Sequence, residues 1–446
     1  MIVRRSPVCR PAAAGDPYRL HETRADLTAE DTTFAPRVRA LLRTLGRSDP
    51  SREIADRPVP VSGTTFALPF ANVTFQNTVA RMNPSFFQRT ASALLVILFL
   101  TVFAHAQEPA QYKAPEPGYE WSFPRDHGNH PAYAMEWWYY VGRLVPKGTS
   151  FDNEEHMRSV QLTFFRNALP GYQSGQFYFA HLTSAGAGQP FRFAERIARG
   201  TLGEAGADTS HMHVWLHDWR ASEIAGNQLI EAYDDSVGGI RLLLTPTWEP
   251  RLNGRDGFSK KGPAGTEASL YYSQPYLKAE GFYLPRENEG GSPVEVEGWF
   301  WLDREFGNQE LGEGLVGWDW FGLMLPGGDA LMIYMIRRGD DQPIEQSGGT
   351  WMPKGEKEVP LAFDDYTVEA TGTWTSEESG ATYPSGWRIT VPRADLELTV
   401  TPLHKDSELR TDRSTRVTYW EGAVRIERNG TPGRSYGFVE LVGYDR

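Results

Sequence analysis

The chain has 446 residues, a formal net charge of −12 at pH 7, 13 % aromatic residues and one cysteine, Cys9. That length can bury one large core or two smaller ones, and an acidic chain does not draw in nucleic acid or anionic lipid by long-range electrostatics. A lone cysteine supplies no disulfide framework, so packing must hold the fold.

In chain order, residues 1–81 read as a non-native or disordered extension, rich in Arg, Ala, Pro and Thr, without lysine and without sustained periodicity. Residues 82–106 have the form of a signal peptide: Arg89, an apolar run from Ala91 to Ala104, and Ala104-His105-Ala106 as a small-x-small cleavage site. The apolar run is about 14 residues, short of the roughly 18 to 20 that span a bilayer, which leaves an inner-membrane signal anchor as the alternative. Export to the periplasm or medium is the expected localisation, with Met82 as the true start. N-terminal sequencing of the native protein should find a mature chain beginning near Gln107; a mature form that keeps Ala12 to Phe70 would overturn this.

From Gln107 onward the pattern is strand after strand. VQLTFFRNAL, GIRLLLTPTW, VEVEGWFWLD, DALMIYMIRR, DYTVEATGTW, WRITVPRADLELTVTPL, TYWEGAVRIE and YGFVELVGY alternate with period two or are rich in β-branched and aromatic residues. Turn clusters such as Asn253-Gly254 and Pro326-Gly327-Gly328 separate them. The best short helical candidate is Ala194 to Ala198. The expected class is all-β, as barrel or sandwich. The linker-like RENEGGSP, Arg286 to Pro293, divides the mature chain into parts expected at 107–290 and 291–446. EWWYYVGRL and EGWFWLDREF look like counterparts near the start of each part.

The candidate site residues are acids beside aromatics. In FPRDHGNHPAYAMEWWYYVGRL, Glu136 precedes four consecutive aromatics. On a strand, Glu136 and Trp138 share one face while Trp137 and Tyr139 share the other. A carboxylate beside aromatic surface is costly unless paired. Trp299 to Glu305 repeats the juxtaposition, with Trp301 and Asp303 on one face. Asp319 stands between Trp318 and Trp320, Glu421 follows Tyr419 and Trp420, and His181 sits among aromatics. A structural role, with each acid paired to an Arg such as Arg166 or Arg304, is the bland explanation for any one motif. Several together suggest a shared, partly apolar cleft, and the approach loop with Asp126 and His127 makes Glu136 a site residue rather than a strut.

These landmarks, with YFAHL, GRDGFSKKG, ASLYYSQP, GWDWFGLML and SGATYPSGW, resemble in order those of the AttH and carotenoid hydratase family of lipocalin-like proteins, from about Trp121 to Tyr444. The resemblance implies two tandem lipocalin-like (calycin-type) β-barrels packed on each other. A barrel mouth or the cleft between barrels suits the expected main role, binding of a hydrophobic small molecule (lipid or isoprenoid), and the resemblance implies the alternative, a hydro-lyase that adds water to an isolated alkene of an isoprenoid or carotenoid-like substrate. The resemblance also implies an export-type ABC transporter in the same pathway, and the sequence carries no cofactor motif, so no cofactor is expected.

Hydration needs an acid still protonated near neutral pH, an aromatic wall that tolerates a cation, and a base for the proton of the attacking water. Burial against tryptophan raises a carboxyl pKa, Trp faces attract cations, and a second carboxylate completes acid-base catalysis. Asp126, Glu136, Asp303 and Asp319 are therefore the catalytic candidates. His127, Trp138, His181, Trp301, Trp318, Trp320, Tyr419 and Glu421 are the ligand-binding candidates. His127 and His130 form an H-x-x-H without a helix or a third ligand, so no metal is expected. Ser259 and Ser269 lack a nucleophile elbow, which argues against a serine hydrolase.

Overall fold

The computed structural model describes residues 112–168, 175–263, 266–308, 311–431 and 433–446. The expected extension and signal peptide lie outside the described residues. Among the described residues there is no α-helix, only strands, loops and five short 3-10 turns. The strands form two large sheets that curl into barrels, so the protein is all-β with two lipocalin-like barrels in tandem.

In the first sheet, Met135–Pro146 pairs antiparallel with Arg158–Ala168 on one side and with Val294–Asn308 on the other. Val294–Asn308 pairs in turn with Ala268–Leu284. The sheet curls until His213–Leu216, near its far edge, lies against Arg158–Ala168 and Gln176–Gly186. In the second sheet, Leu315–Met324 lies between Ala330–Arg338 and Ser435–Val442, and the latter pairs with Thr418–Arg428.

Three expectations meet a different outcome. RENEGGSP is the turn of a hairpin between Ala268–Leu284 and Val294–Asn308, with a 3-10 turn at Glu287–Glu289, so the first sheet extends to Asn308. Polar, Gly-rich and Pro-containing sequence serves hairpin turns and linkers alike. EWWYYVGRL and EGWFWLDREF are direct pairing partners in one sheet, with Tyr139 opposite Asp303 and Val141 opposite Trp301. Ala194 to Ala198 lies in the strand Arg192–Arg199, paired with Gln176–Gly186. Residues four apart share a face in a strand as in a helix, so tertiary pairing decides between them.

Strand alternation divides the interior into three layers. Trp138, Tyr140, Phe300 and Leu302 fill the first barrel. Phe321, Leu323, Ile333, Trp387 and Trp420 fill the second. The opposite faces of the same strands meet between the barrels, where Tyr139, Val141, Tyr271 and Trp301 pack on Trp320, Met332, Tyr334 and Phe438. The expected split of Glu136 and Trp138 from Trp137 and Tyr139 is what the structure contains: the first pair faces the barrel interior, the second faces the other barrel.

Candidate functional site

A cavity of about 410 Å³ opens between the barrels. The first sheet contributes Trp137, Tyr139, Phe165, His181, Tyr271, Asp303 and Glu305, and the second contributes Trp318, Trp320, Tyr334, Tyr419 and Glu440. A volume of this order suits a small organic molecule, and a mostly apolar wall with a few convergent polar groups is the usual form of such sites.

Asp303 stands at the centre of one polar group. Its Oδ1 accepts from Trp301 Nε1 and Ser273 Oγ, each at 2.6 Å, and Oδ2 accepts from the Tyr271 hydroxyl. Tyr271 accepts in turn from Trp320 Nε1 at 3.0 Å, so the chain of hydrogen bonds crosses from one barrel to the other. Burial pushes the Asp303 carboxyl up to about 7 despite these three donors. Beside it Lys261 pairs with Glu305 at 2.9 Å, its ammonium 4.2 Å from the Tyr334 ring centre. Burial opposes the Lys261 charge, and Glu305 more than offsets it, holding the ammonium pKa above its usual value.

Trp320 owes its position to a missing side chain. A Cβ on Gly322 would come within 2.3 Å of the Trp320 ring, so only glycine lets the indole lie over this strand. The ring meets Tyr139 edge-on at 5.2 Å and Trp301 at 6.3 Å.

The second polar group is carried by the second barrel. Glu440 accepts from Trp318 Nε1 at 2.6 Å, and its cross-strand neighbour Glu421 accepts from the Tyr139 hydroxyl at 2.5 Å. The third group closes one side. His181 Nδ1 lies 2.8 Å from the Tyr419 hydroxyl and Nε2 lies 2.9 Å from Ser414 Oγ. Glu195 of the first barrel accepts from the backbone N–H of Arg413 and Ser414, which fixes the 411–417 loop across the cavity. Burial drops His181 to about 3, so it is a neutral imidazole.

Of the four acids expected to be catalytic, Asp303 alone lines the cavity. Glu136 faces the first barrel's interior, where it forms ion pairs with both Arg166 and Arg304 and accepts from His130 N–H at 3.0 Å. Burial raises its pKa, and the two guanidinium charges outweigh that, holding it below the usual carboxylate range. Arg304 also lies 3.9 Å over the Trp138 ring, so Trp138 is barrel core beneath an ion pair rather than cavity wall.

Asp126 is buried in the 3-10 turn Arg125–His127, bonded by Arg125, His130, Tyr119 and Ser122 N–H. Those bonds outweigh its burial and hold its carboxyl below the usual range. His127, in the same approach loop, lies 2.6 Å from the hydroxyl of Tyr272 on the strand Ala268–Leu284, and burial lowers it to about 4. Asp319 turns away from the cavity onto Arg337 and Tyr444, each at 3.0 Å. Strand alternation is the reason: an Asp between two cavity-facing tryptophans must face the other way.

Of the ligand-binding candidates, His181, Trp318, Trp320 and Tyr419 line the cavity, Trp301 supports Asp303 from behind it, and Glu421 stands behind Glu440. Sequence reasoning passed over Glu440, Glu305, Lys261, Tyr271 and Tyr139. Two of these were within reach, since Glu305 lies two residues beyond Asp303 on the same face and Tyr139 lies two beyond Trp137. Among the described residues no group of three or more His, Cys, Asp and Glu could hold a metal ion.

Residues 114–444 match the model of the AttH-like family. A solved structure designated AttH from Nitrosomonas europaea is 32 % identical, superposes with a TM-score of 0.67, and covers 75 % of this chain and 100 % of its own. Kievitone hydratase from Nectria haematococca is 14 % identical with a TM-score of 0.56, covering 75 % of this chain and 96 % of its own, a likeness of fold. No curated protein matches the chain. With the family pattern spanning both barrels and the cavity between them, the chain belongs to the AttH-like family.

Proposed function

We propose that the cavity binds an unsaturated hydrophobic small molecule, a lipid or isoprenoid, and adds water across an isolated double bond in it. The observation that carries this reading is Asp303. It lines an aromatic cavity, has no ion-pair partner among the described residues, and has its carboxyl pushed up to about 7 by burial. General acids work best when their pKa lies near the operating pH. Asp303 would protonate one alkene carbon, and the Trp320 and Tyr139 rings would face the tertiary cation left on the other. The hydratase named among the fold neighbours describes that protein, and the support here comes from this chain's own side chains.

Carriage without turnover is the second reading, favoured by the three donors on Asp303, which suit a carboxyl kept as a fixed acceptor. The two separate in one experiment. The protein is incubated with isoprenoids bearing a terminal trisubstituted alkene in heavy-oxygen water, and both bound and extracted molecules are weighed by mass spectrometry. Hydration should yield a tertiary alcohol carrying the heavy oxygen. A bound, unaltered alkene would establish carriage instead, and absence of binding would reject both.

A further inference from the structure

The antiparallel strands Thr418–Arg428 and Ser435–Val442 set Glu421 directly opposite Glu440, while Leu315–Met324 sets Trp320 opposite Glu440 on its other side. Like charges facing each other across a strand pair destabilise it. Glu421 is 1 % exposed and Glu440 is half-buried at the cavity, and among the described residues no cation relieves either glutamate. The titratable groups around the pair are the hydroxyls of Tyr139 and Tyr419 and the carboxyl of Glu305.

Hydrogen bonding shows how the pair is accommodated. Tyr139 donates to Glu421 Oε1, and Trp318 donates to Glu440 Oε1. Glu421 Oε2 is buried and receives no donor. A buried carboxyl oxygen without a donor is satisfied when it carries a proton itself and donates. The acceptor is at hand, because strand register sets the Glu440 carboxyl directly opposite Glu421. Two carboxyls sharing one proton is the stable state of such a pair near neutral pH. The arrangement is directional: Glu421 lies behind, and Glu440 presents its carboxylate to the cavity.

We infer that Glu440, held by a protonated Glu421, positions the attacking water and takes its proton, so that hydration runs between Asp303 on one barrel and Glu440 on the other. This rests on the hydration reading. The alkene π electrons form a C–H bond as the Asp303 O–H bond breaks, leaving a tertiary cation. A water lone pair forms the C–O bond, and the water O–H bond breaks with its proton passing to Glu440. Asp303 is then ionised and the glutamate pair holds two protons, one of which returns to Asp303 through solvent water. The sum is alkene plus water to alcohol, without oxidant or reductant. Glu440 is a catalytic residue in this scheme and Glu421 a positioning residue.

The test compares Glu440→Gln, Glu421→Gln and Asp303→Asn on the full mature chain, reading turnover, alkene Kd and carboxyl NMR titration of glutamate-labelled protein without ligand. Glu440→Gln should lose about 10²- to 10⁴-fold in kcat while alkene Kd stays within a few-fold. Glu421→Gln keeps a donor to Glu440, so it should retain turnover within about tenfold and erase the upper of two glutamate titration steps. If Glu440→Gln does not fold, Glu440→Asp, with its carboxyl withdrawn by one methylene, should show the same split between kcat and Kd. Turnover that persists in a folded Glu440 variant but is lost in Asp303→Asn removes the role of Glu440 alone. Two glutamates titrating independently at ordinary values would remove the shared proton. A wild type that binds alkene and forms no alcohol removes the hydration reading itself, before any variant is compared.

Discussion

Asp303→Asn is expected to lower alkene hydration by about 10²- to 10⁴-fold, because the amide keeps the shape of the carboxyl but has no proton to give to carbon. Alkene Kd should stay within a few-fold, since the aromatic wall does not change. Stability supplies an independent readout with a definite sign. The Asp303 pKa is raised from an ordinary 3.8 to about 7 by burial, so the folded state holds its proton more tightly than the unfolded one. Its contribution is intact below about pH 4 and is lost as pH rises through 7. Whatever constant cost the amide brings, the variant should therefore gain on the wild type by a few kcal/mol between pH 4 and pH 7. Denaturant midpoints at those two pH values check this. An unchanged difference would mean that Asp303 is ionised throughout and cannot be the acid.

Glu136→Gln should have the opposite profile, with a large loss of stability and little loss of function per folded molecule. The substitution leaves two fully buried guanidiniums, Arg166 and Arg304, without their shared carboxylate. Removing one partner of a buried ion pair costs about 3 to 5 kcal/mol. Those same arginines hold the approach loop, Arg166 through the Tyr133 carbonyl at 2.7 Å and Arg304 through the Gly128 carbonyl, so the loop should loosen as well. Because the Glu136 pKa lies below its usual value, the stabilisation it provides is present above about pH 4 and is lost as pH falls through the native value. Urea unfolding at pH 7 measures the loss, and ligand binding corrected for the folded fraction should match the wild type. A stable Glu136→Gln protein without turnover would place Glu136 at the chemistry despite its distance from the cavity wall.

Much of the site was legible in outline. The acid-aromatic motifs do mark the strands that build the cavity, and Trp301 with Asp303 are close neighbours on one face because residues two apart in a strand must be. The same rule, applied strictly to Trp318-Asp319-Trp320, separates Asp319 from its flanking tryptophans. The inviting composition of Glu136 with four aromatics was misleading for a reason of distance. Its cations come from Arg166, one strand on, and from Arg304, far along the chain. Glu440 was missed because its single Glu in YGFVELVGY looks like an ordinary strand charge until Glu421 is set opposite it.

By itself the sequence determined the all-β class, the turns, and the division of each strand into two faces, because period-two alternation is local and follows from backbone geometry. It also carried the family pattern through both barrels. Only the tertiary structure decided that the cavity lies on the face between the barrels, that RENEGGSP is a hairpin turn, and which acids meet arginines. A carboxyl's protonation is set by the few ångströms around it. There Glu136 meets two arginines, Asp303 accepts from three neutral donors, and Glu421 faces another acid, and strand register brings these neighbours from other segments, in one case from as far along the chain as Arg304 is from Glu136.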